Sequence, residues 1–163
     1  MTAPFRQFTF TSPDETARFA RALAPGLAPG DVLLLEGQIG SGKTHFARSL
    51  IQARLAADGA PVEDVPSPTF TLVQTYDTGR VEIWHADLYR LTHPDEVEEL
   101  GLTDAFDDAI CLVEWPDRLG DLAPEGALVL TFAAGDAPET RVVTAGSDAP
   151  GWAARLEALS DAG

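Results

Sequence analysis

The strongest structural signal in this sequence is the segment Gly37-Gln-Ile-Gly-Ser-Gly-Lys-Thr44. It fits an eight-residue pattern that begins with glycine and ends in glycine, lysine and then serine or threonine. Glycine tolerates backbone angles that a β-carbon would penalise, so successive N–H groups of such a loop converge on one anion. An apolar run from Val32 to Glu36 precedes the segment, and a helical pattern of apolar residues follows it as far as Gly59. The sequence therefore predicts a strand, a phosphate-binding loop and a helix, in that order.

Each residue of the loop has an expected role in holding a nucleotide, which we take to be ATP. Backbone N–H groups are expected to surround the β-phosphate, and the start of the helix near Gly42 adds partial positive charge at the same point. Lys43, the only lysine of the chain, is placed to reach the β- and γ-phosphate oxygens. The hydroxyl of Thr44 is placed to ligate Mg²⁺. The predicted nucleotide-binding residues are Gly37, Gln38, Ile39, Gly40, Ser41, Gly42, Lys43 and Thr44.

A nucleotide-bound Mg²⁺ usually needs a further anchor, an acidic residue at the carboxyl end of a neighbouring strand. Two residues qualify: Asp87 ends the segment Val81–Asp87, and Glu114 follows the apolar run Ile110–Val113. The apolar run favours Glu114, because it is typical of an interior strand beside the loop. Asp87 stays a candidate, and for either carboxylate a helix cap or a solvated strand end is the alternative. The predicted catalytic residues are Lys43, Asp87 and Glu114, and the predicted metal ligands are Thr44, Glu114 and Asp87.

Further candidates lie between the loop helix and Asp87. In related ATPases and GTPases this position carries a switch that contacts the γ-phosphate and the metal. Ser67, Thr69 and Thr71 offer hydroxyl ligands there, although a plain β-strand is rich in threonine as well. Simpler interpretations hold for two residues near the carboxylates, namely core packing for Trp115 and a satisfied hydrogen bond within a strand for His85.

Length and composition indicate one soluble, cytoplasmic domain. The chain has 163 residues, of which 45% are hydrophobic, so we predict a single domain over residues 1–163. Its longest apolar run is far too short to cross a bilayer, and its N-terminus lacks a signal-peptide pattern. Cys111 is the only cysteine, which excludes an intrachain disulfide and a cysteine-based zinc site. The formal charge of −15 disfavours direct binding of nucleic acid and leaves room for a basic partner.

The remaining segments predict an α/β fold. Phe5–Phe10 alternates like a short strand, and Ser12-Pro-Asp-Glu15 is a capping box that opens a helix to about Ala24. Thr69–Tyr76 and Val81–His85 favour a β-hairpin. Further predicted elements are a short acidic helix at Pro94–Leu100, strands at Leu128–Phe132 and Thr140–Thr144, and a terminal helix at Gly151–Leu159. This mixture predicts a mixed parallel and antiparallel sheet that is covered by helices.

Four motifs, taken in order, closely resemble those of one family. They are the loop at 37–44, Ser-Pro-Thr-Phe-Thr-Leu-Val at 67–73, His-Ala-Asp-Leu-Tyr-Arg at 85–90 and Ile-Cys-Leu-Val-Glu-Trp-Pro at 110–116. Together they resemble the bacterial TsaE (YjeE) family, the ATPase component of tRNA threonylcarbamoyladenosine biosynthesis. The resemblance covers residues from about Gly30 to Asp117, and after Leu119 only the general strand pattern matches.

The resemblance implies a three-layer αβα P-loop sandwich, weak ATPase activity and Mg²⁺ as a cofactor. It implies that Asp87 and Glu114 serve metal binding and hydrolysis, that the segment from Ser67 is a switch, and that Trp115 belongs to a second switch. It also implies TsaD and TsaB subunits as partners, which transfer a threonylcarbamoyl group to adenosine 37 of tRNAs that read codons beginning with A. The resemblance further implies that ATP turnover by this chain resets that complex between cycles, and that its link to tRNA is indirect, through those partners.

Departures from the family pattern are small. Gln38 stands where the family commonly has aspartate, and His45 stands where a second threonine is usual. The glycines, Lys43 and Thr44 fit the pattern. Residues 12–16 are candidates for contact with the base.

Other functions use the same loop. A small-molecule or nucleotide kinase is one alternative, although Arg80, Arg90 and Arg118 are scattered and lack the paired pattern of a kinase lid. A regulatory nucleotide-binding subunit without turnover is a second alternative. A GTPase is disfavoured, because the chain contains no asparagine for a guanine-reading Asn-Lys-x-Asp segment.

Overall fold

A mixed β-sheet organises the chain, which is described here from a computed structural model that covers residues 4–68 and 71–162. The strands within these residues are β1 (Pro4–Phe10), β2 (Val32–Gly37), β3 (Val73–Asp77), β4 (Glu82–Asp87), β5 (Ile110–Glu114), β6 (Leu128–Ala134) and β7 (Arg141–Gly146). Their order across the sheet is β1-β7-β6-β2-β5-β4-β3. β2 is parallel to both β5 and β6, and β4 is parallel to β5. The outer pairs β1/β7, β6/β7 and β3/β4 are antiparallel, which confirms the predicted mixed sheet.

Helices cover both faces of the sheet. They are α1 (Pro13–Leu23), α2 (Lys43–Ala57), α3 (Asp95–Glu99), α4 (Leu102–Asp108) and α5 (Gly151–Ala162), with short 3-10 helices at Ala24–Gly26 and Pro116–Leu122. None of the helices in the described residues has both the length and the apolar character that a membrane crossing needs.

Alternation along β2 divides the apolar core into two layers. Leu33 and Leu35 pack with residues of α1, α2 and α5 on one face, whereas Val32 and Leu34 pack with residues of α3 and α4 on the other. Successive side chains of a strand point to opposite faces, so a strand that is covered on both sides reads as a continuous apolar run. The three-layer αβα sandwich is therefore confirmed.

The capping box at the start of α1 differs from the simple pattern by one residue. Ser12 Oγ accepts a hydrogen bond from the Glu15 amide at 3.4 Å, as a helix cap does. The Glu15 carboxylate, however, accepts from the amide of Thr11 at 2.7 Å rather than from that of Ser12. The helix still begins at Pro13, where the sequence predicts it.

Two predicted elements differ from the structure. The first strand of the hairpin was expected from Thr69, but β3 begins at Val73, because Leu72 has a φ of +67° that no strand can contain. Thr69 itself lies outside the described residues. The acidic helix is followed by α4, which the sequence analysis did not predict, and Gly101 separates the two helices with a φ of +84°.

Candidate nucleotide-binding and catalytic site

The loop between β2 and α2 is shaped by glycines in the left-handed region. Gly37, Gly40 and Gly42 have φ values of +147°, +80° and +105°. The Ser41 amide donates to the Gln38 carbonyl at 3.1 Å, which closes a turn inside the loop. Gly42 is the N-cap of α2 and has no side chain to accept from the first turn of the helix. Amide groups at this helix start are therefore left for an anion.

Gly37 and Gly40 are glycines for different reasons. A Cβ atom at Gly37 would lie 2.6 Å from the Phe132 carbonyl oxygen and 2.7 Å from Ser41 Oγ, so β6 leaves no space for one. A Cβ at Gly40 would meet no atom within 4 Å, so only its backbone angle favours glycine.

Lys43 is buried at the first position of α2. Its Nζ donates to the Gly37 carbonyl at 2.5 Å and lies 3.8 Å from the centre of the Trp115 ring. Burial lowers the pKa of Lys43, and the carboxylates of Glu114, Asp87 and Asp117 act in the opposite direction. The ammonium group thus sits between the loop and the acidic ends of β4 and β5.

Glu114 is buried at the end of β5 and is held by two partners. Its Oε1 accepts from the Thr44 hydroxyl at 2.8 Å, and its Oε2 lies 2.7 Å from His85 Nε2. A carboxylate oxygen only accepts, so Nε2 is the protonated nitrogen of His85 in this arrangement. Within the described residues His85 Nδ1 has no hydrogen-bond partner, although the side chain is fully buried. The carboxylate is therefore fixed between the first turn of α2 and the neighbouring strand β4.

Asp87 lies directly opposite Glu114, because the parallel strands β4 and β5 end together. One oxygen of its side chain accepts from the amide of Tyr89 at 3.0 Å. Burial raises the pKa of Asp87 and is the largest effect, while the Tyr89 hydrogen bond works against it. β5 lies between β2 and β4 in the sheet. The prediction that its apolar run forms an interior strand beside the loop is therefore confirmed.

These groups line one cleft of about 490 Å³. Its chemistry fits a nucleotide with Mg²⁺, because a bare helix start and an ammonium group meet a hydroxyl and two carboxylates there. The described residues contain no group of three or more His, Cys, Asp or Glu side chains that could hold a metal by themselves. An Mg²⁺ at Thr44, Glu114 and Asp87 would therefore also need oxygen ligands such as phosphate, which is how this ion is usually bound.

Only some of the predicted switch residues line the cleft. Ser67 and Trp115 line it, and the Trp115 ring lies 4.8 Å from that of Tyr89. Trp115 also has a φ of +59°, which is uncommon for a bulky residue. Thr71 is exposed, is not among the cleft-lining residues and accepts from Gln74 Nε2 at 3.3 Å. The exposed Ile39 lines the cleft, whereas Gln38 contributes its carbonyl to the loop turn.

Several residues near the loop were not predicted as parts of the site. His85 was interpreted as a strand residue with a satisfied hydrogen bond; it lies in β4, and its Nε2 is bonded, but to the candidate carboxylate Glu114. Its spacing of two from Asp87 puts both side chains on one face of β4, a signal that was available. Arg141 contacts the loop from β7, 100 residues away in the chain, and no local pattern marks it. Pro13 and Thr16, which belong to the segment expected to contact the base, line a recess of about 230 Å³ together with Gly40 and Gly42 of the loop.

Comparisons with known proteins agree on one family. The family model described as "Threonylcarbamoyl adenosine biosynthesis protein TsaE" matches residues 10–143. The tRNA threonylcarbamoyladenosine biosynthesis protein TsaE of Rickettsia bellii is 41% identical over 118 residues, which are 72% of this chain and 79% of that protein. The protein of the same name from Bacillus subtilis is 37% identical over 123 residues, which are 74% of this chain and 73% of that one.

A solved structure is similar over nearly the whole chain. The crystal structure of Bacillus subtilis YdiB superposes with a TM-score of 0.76 and 28% identity, and the match covers 99% of this chain and 97% of that one. The sequence match includes the phosphate loop, both carboxylates and the strands that carry them. The chain therefore belongs to the TsaE family of threonylcarbamoyl adenosine biosynthesis proteins.

Proposed function

We propose that this chain binds ATP with Mg²⁺ and hydrolyses the nucleotide slowly, as a subunit that serves tRNA threonylcarbamoyladenosine biosynthesis. In this proposal ATP turnover resets TsaD and TsaB subunits between rounds of transfer to adenosine 37. The observation that best supports it is the hydrogen bond of 2.8 Å between Thr44 of the loop helix and Glu114 of the neighbouring strand. This bond brings a hydroxyl and a carboxylate together beside an anion-binding loop, as nucleotide-bound Mg²⁺ requires.

Each side chain of the cleft has a role in this proposal. Lys43 and the loop amides hold the anionic tail of the nucleotide by charge and hydrogen bonds. Bound Mg²⁺ would neutralise phosphate charge, and Thr44 and Glu114 are the residues that would hold it. Each carboxylate oxygen has two lone pairs, so Glu114 keeps acceptor capacity after Thr44 and His85 are bound. Asp87, on the adjacent strand end, is assigned to orient the attacking water.

A regulatory subunit that binds nucleotide without turnover is the second candidate. The observation in its favour is that Lys43 and Glu114 already have partners within the chain, with the Trp115 ring over the ammonium group. Phosphate release, measured with and without TsaD and TsaB, separates the two candidates. Free phosphate that rises with the partners supports the ATPase, whereas binding without release supports the regulatory subunit.

The test of nucleotide binding is calorimetric titration of Mg-ATP into the wild type and two Lys43 variants. Lys43→Met keeps an apolar stem beneath Trp115, whereas Lys43→Ala removes it, so the pair separates the charge from the packing. Loss of measurable binding in both variants is expected, because the charge supplies the contact with the phosphates. Undiminished affinity in Lys43→Met would contradict the proposal. Copurification with TsaD and TsaB, with and without ATP, tests the proposed partners.

A further inference from the structure

Arg141, the first residue of β7, donates all its hydrogen bonds in the structure to backbone carbonyls. Its Nε donates to the Ser41 carbonyl at 3.2 Å, and its Nη2 donates to the Gly40 carbonyl at 3.4 Å. Its Nη1 donates to the carbonyls of Pro138 and Thr140, at 2.9 and 3.0 Å. One planar guanidinium thus joins the phosphate loop to the turn between β6 and β7.

The turn that carries Arg141 is itself ordered. The Gly135 amide donates to the Thr140 carbonyl at 2.9 Å, and the Thr140 amide donates to the Ala137 carbonyl at 3.0 Å. β6 is paired with β2, the strand that leads into the loop, and β7 is paired with β6. The backbone of Arg141 is therefore fixed relative to the loop by sheet hydrogen bonds, and the side chain extends from it to the loop carbonyls.

Holding these carbonyls determines the direction of loop amides. A trans peptide unit is planar, and its C=O and N–H bonds point in opposite directions. A Ser41 carbonyl that is turned towards Arg141 therefore turns the Gly42 N–H away from Arg141. The Gly40 carbonyl belongs to the peptide unit whose Ser41 N–H donates to the Gln38 carbonyl, so Arg141 also supports this turn of the loop. Without this contact the glycine at 42 would leave the peptide unit between Ser41 and Gly42 freer to rotate.

The positive charge of Arg141 also favours anion binding by the loop. Within residues 4–68 and 71–162, Arg141 takes part in no salt bridge, since its donors all go to carbonyls. Hydrogen bonds from a cation polarise the carbonyls, and a polarised peptide is a stronger N–H donor at its other end. In a chain of formal charge −15, Arg141 thus adds a cation beside the loop, in addition to Lys43.

We infer that Arg141 is a positioning residue for phosphate binding, which holds the peptide unit between Ser41 and Gly42 in its anion-binding orientation, supports the turn that precedes this unit and adds positive charge beside the loop. The inference rests on the proposed binding of ATP. Arg141 donates to carbonyls of the loop, so in this inference its loss weakens phosphate binding through the loop. The ligand class is the polyphosphate tail, and the effect is the same for ATP and for inorganic pyrophosphate.

The experiment is calorimetric titration of Mg-ATP and of pyrophosphate into the wild type, Arg141→Met, Arg141→Lys and a control, Arg155→Met. Arg155 is a suitable control because its guanidinium bonds to Asp31 and the Gly26 carbonyl, away from the loop. Arg141→Met is expected to lower the affinity for both ligands by about tenfold or more, since two charge-assisted hydrogen bonds to the loop are lost. Arg141→Lys keeps the positive charge but not the forked geometry of the guanidinium. Its affinities for both ligands are therefore expected to lie between those of the wild type and of Arg141→Met. Arg155→Met is expected to bind both ligands as the wild type does.

Each outcome is decisive. Affinities for Arg141→Met within twofold of the control overturn the inference while ATP binding by the wild type stands. A wild type that binds neither ligand overturns the proposed function itself. If Arg141→Met does not fold, the Arg141 Nε–H resonance of the wild type is measured by NMR. An Nε–H that is protected from solvent exchange and shifts on addition of Mg-ATP supports the inference, and an unprotected, unshifted resonance refutes it.

Discussion

The His85–Glu114 contact gives a stability prediction that can be worked out from the structure. His85 is fully buried, and its Nε2 lies 2.7 Å from Glu114 Oε2. Replacing His85 with Asn shortens the side chain, so the amide no longer reaches the carboxylate. A hydrogen bond to a charged group contributes about 1.5–3 kcal/mol, and a cavity adds to its loss. We therefore expect His85→Asn to lower the free energy of unfolding by about 2–4 kcal/mol.

His85→Gln is the matched variant. The Gln amide nitrogen extends to about the position of the imidazole Nε2 and can still donate to Glu114. The loss then comes from shape and imperfect geometry, and we expect about 1–2 kcal/mol. Thr44 continues to donate to the other oxygen of Glu114 in both variants, so the comparison isolates the His85 contact.

The measurement is urea unfolding of both variants, followed by circular dichroism at neutral pH, with a double-mutant cycle through Glu114→Gln. We expect a coupling energy between His85→Asn and Glu114→Gln of about 1 kcal/mol or more. Equal destabilisation by Asn and Gln, or a coupling energy of about zero, would refute the assignment of His85 as the donor that fixes Glu114.

Two further predictions concern the loop and a buried ion pair. Gly37→Ala should destabilise the fold by about 2–4 kcal/mol, because its Cβ would lie 2.6 Å from the Phe132 carbonyl oxygen. In the same urea assay, Gly40→Ala should cost only about 1–2 kcal/mol, which is the strain of its backbone angle. Equal costs would contradict the close approach of β6. Asp58 accepts from Thr78 and Arg54, and these bonds lower its pKa, with the Thr78 hydroxyl as the largest cause. Its stabilisation is therefore complete above the ordinary value of about 4 and is lost as pH falls through the lower native pKa. Asp58→Asn should lower the free energy of unfolding by about 1–3 kcal/mol at pH 7, and its difference from the wild type should shrink below about pH 4. A difference that stays constant at all pH values would contradict this account.

Local signals explain which parts of the site the sequence predicts. The loop has a local pattern, because glycines, a helix start and the residues after them must follow one another to bind phosphate. Glu114 was predicted beside the loop because an interior strand is apolar on both faces, and β5 is buried throughout. Both predictions depend on residues that are neighbours in the chain.

The remaining contacts depend on pairs that are distant in the chain. His85 and Glu114 are 29 residues apart and meet only because β4 and β5 are parallel neighbours. Arg141 reaches Ser41 across 100 residues, through the order of β2, β6 and β7. Leu72 is typical of a strand, yet its carbonyl accepts from the Asp87 amide in a turn that tertiary contacts hold. Such pairs follow from strand order, which local composition does not determine.

The indole ring of Trp115 over Lys43 means that the ammonium group already has two partners, the ring and the Gly37 carbonyl. In the proposed function, a phosphate would have to compete with these contacts for the ammonium group. A desolvated cation–π contact contributes about 1–2 kcal/mol, which corresponds to roughly a 5- to 30-fold reduction in apparent affinity. If the chain binds a nucleotide as proposed, the indole competes with it for Lys43, and a partner that draws the indole aside would tighten binding without touching the nucleotide.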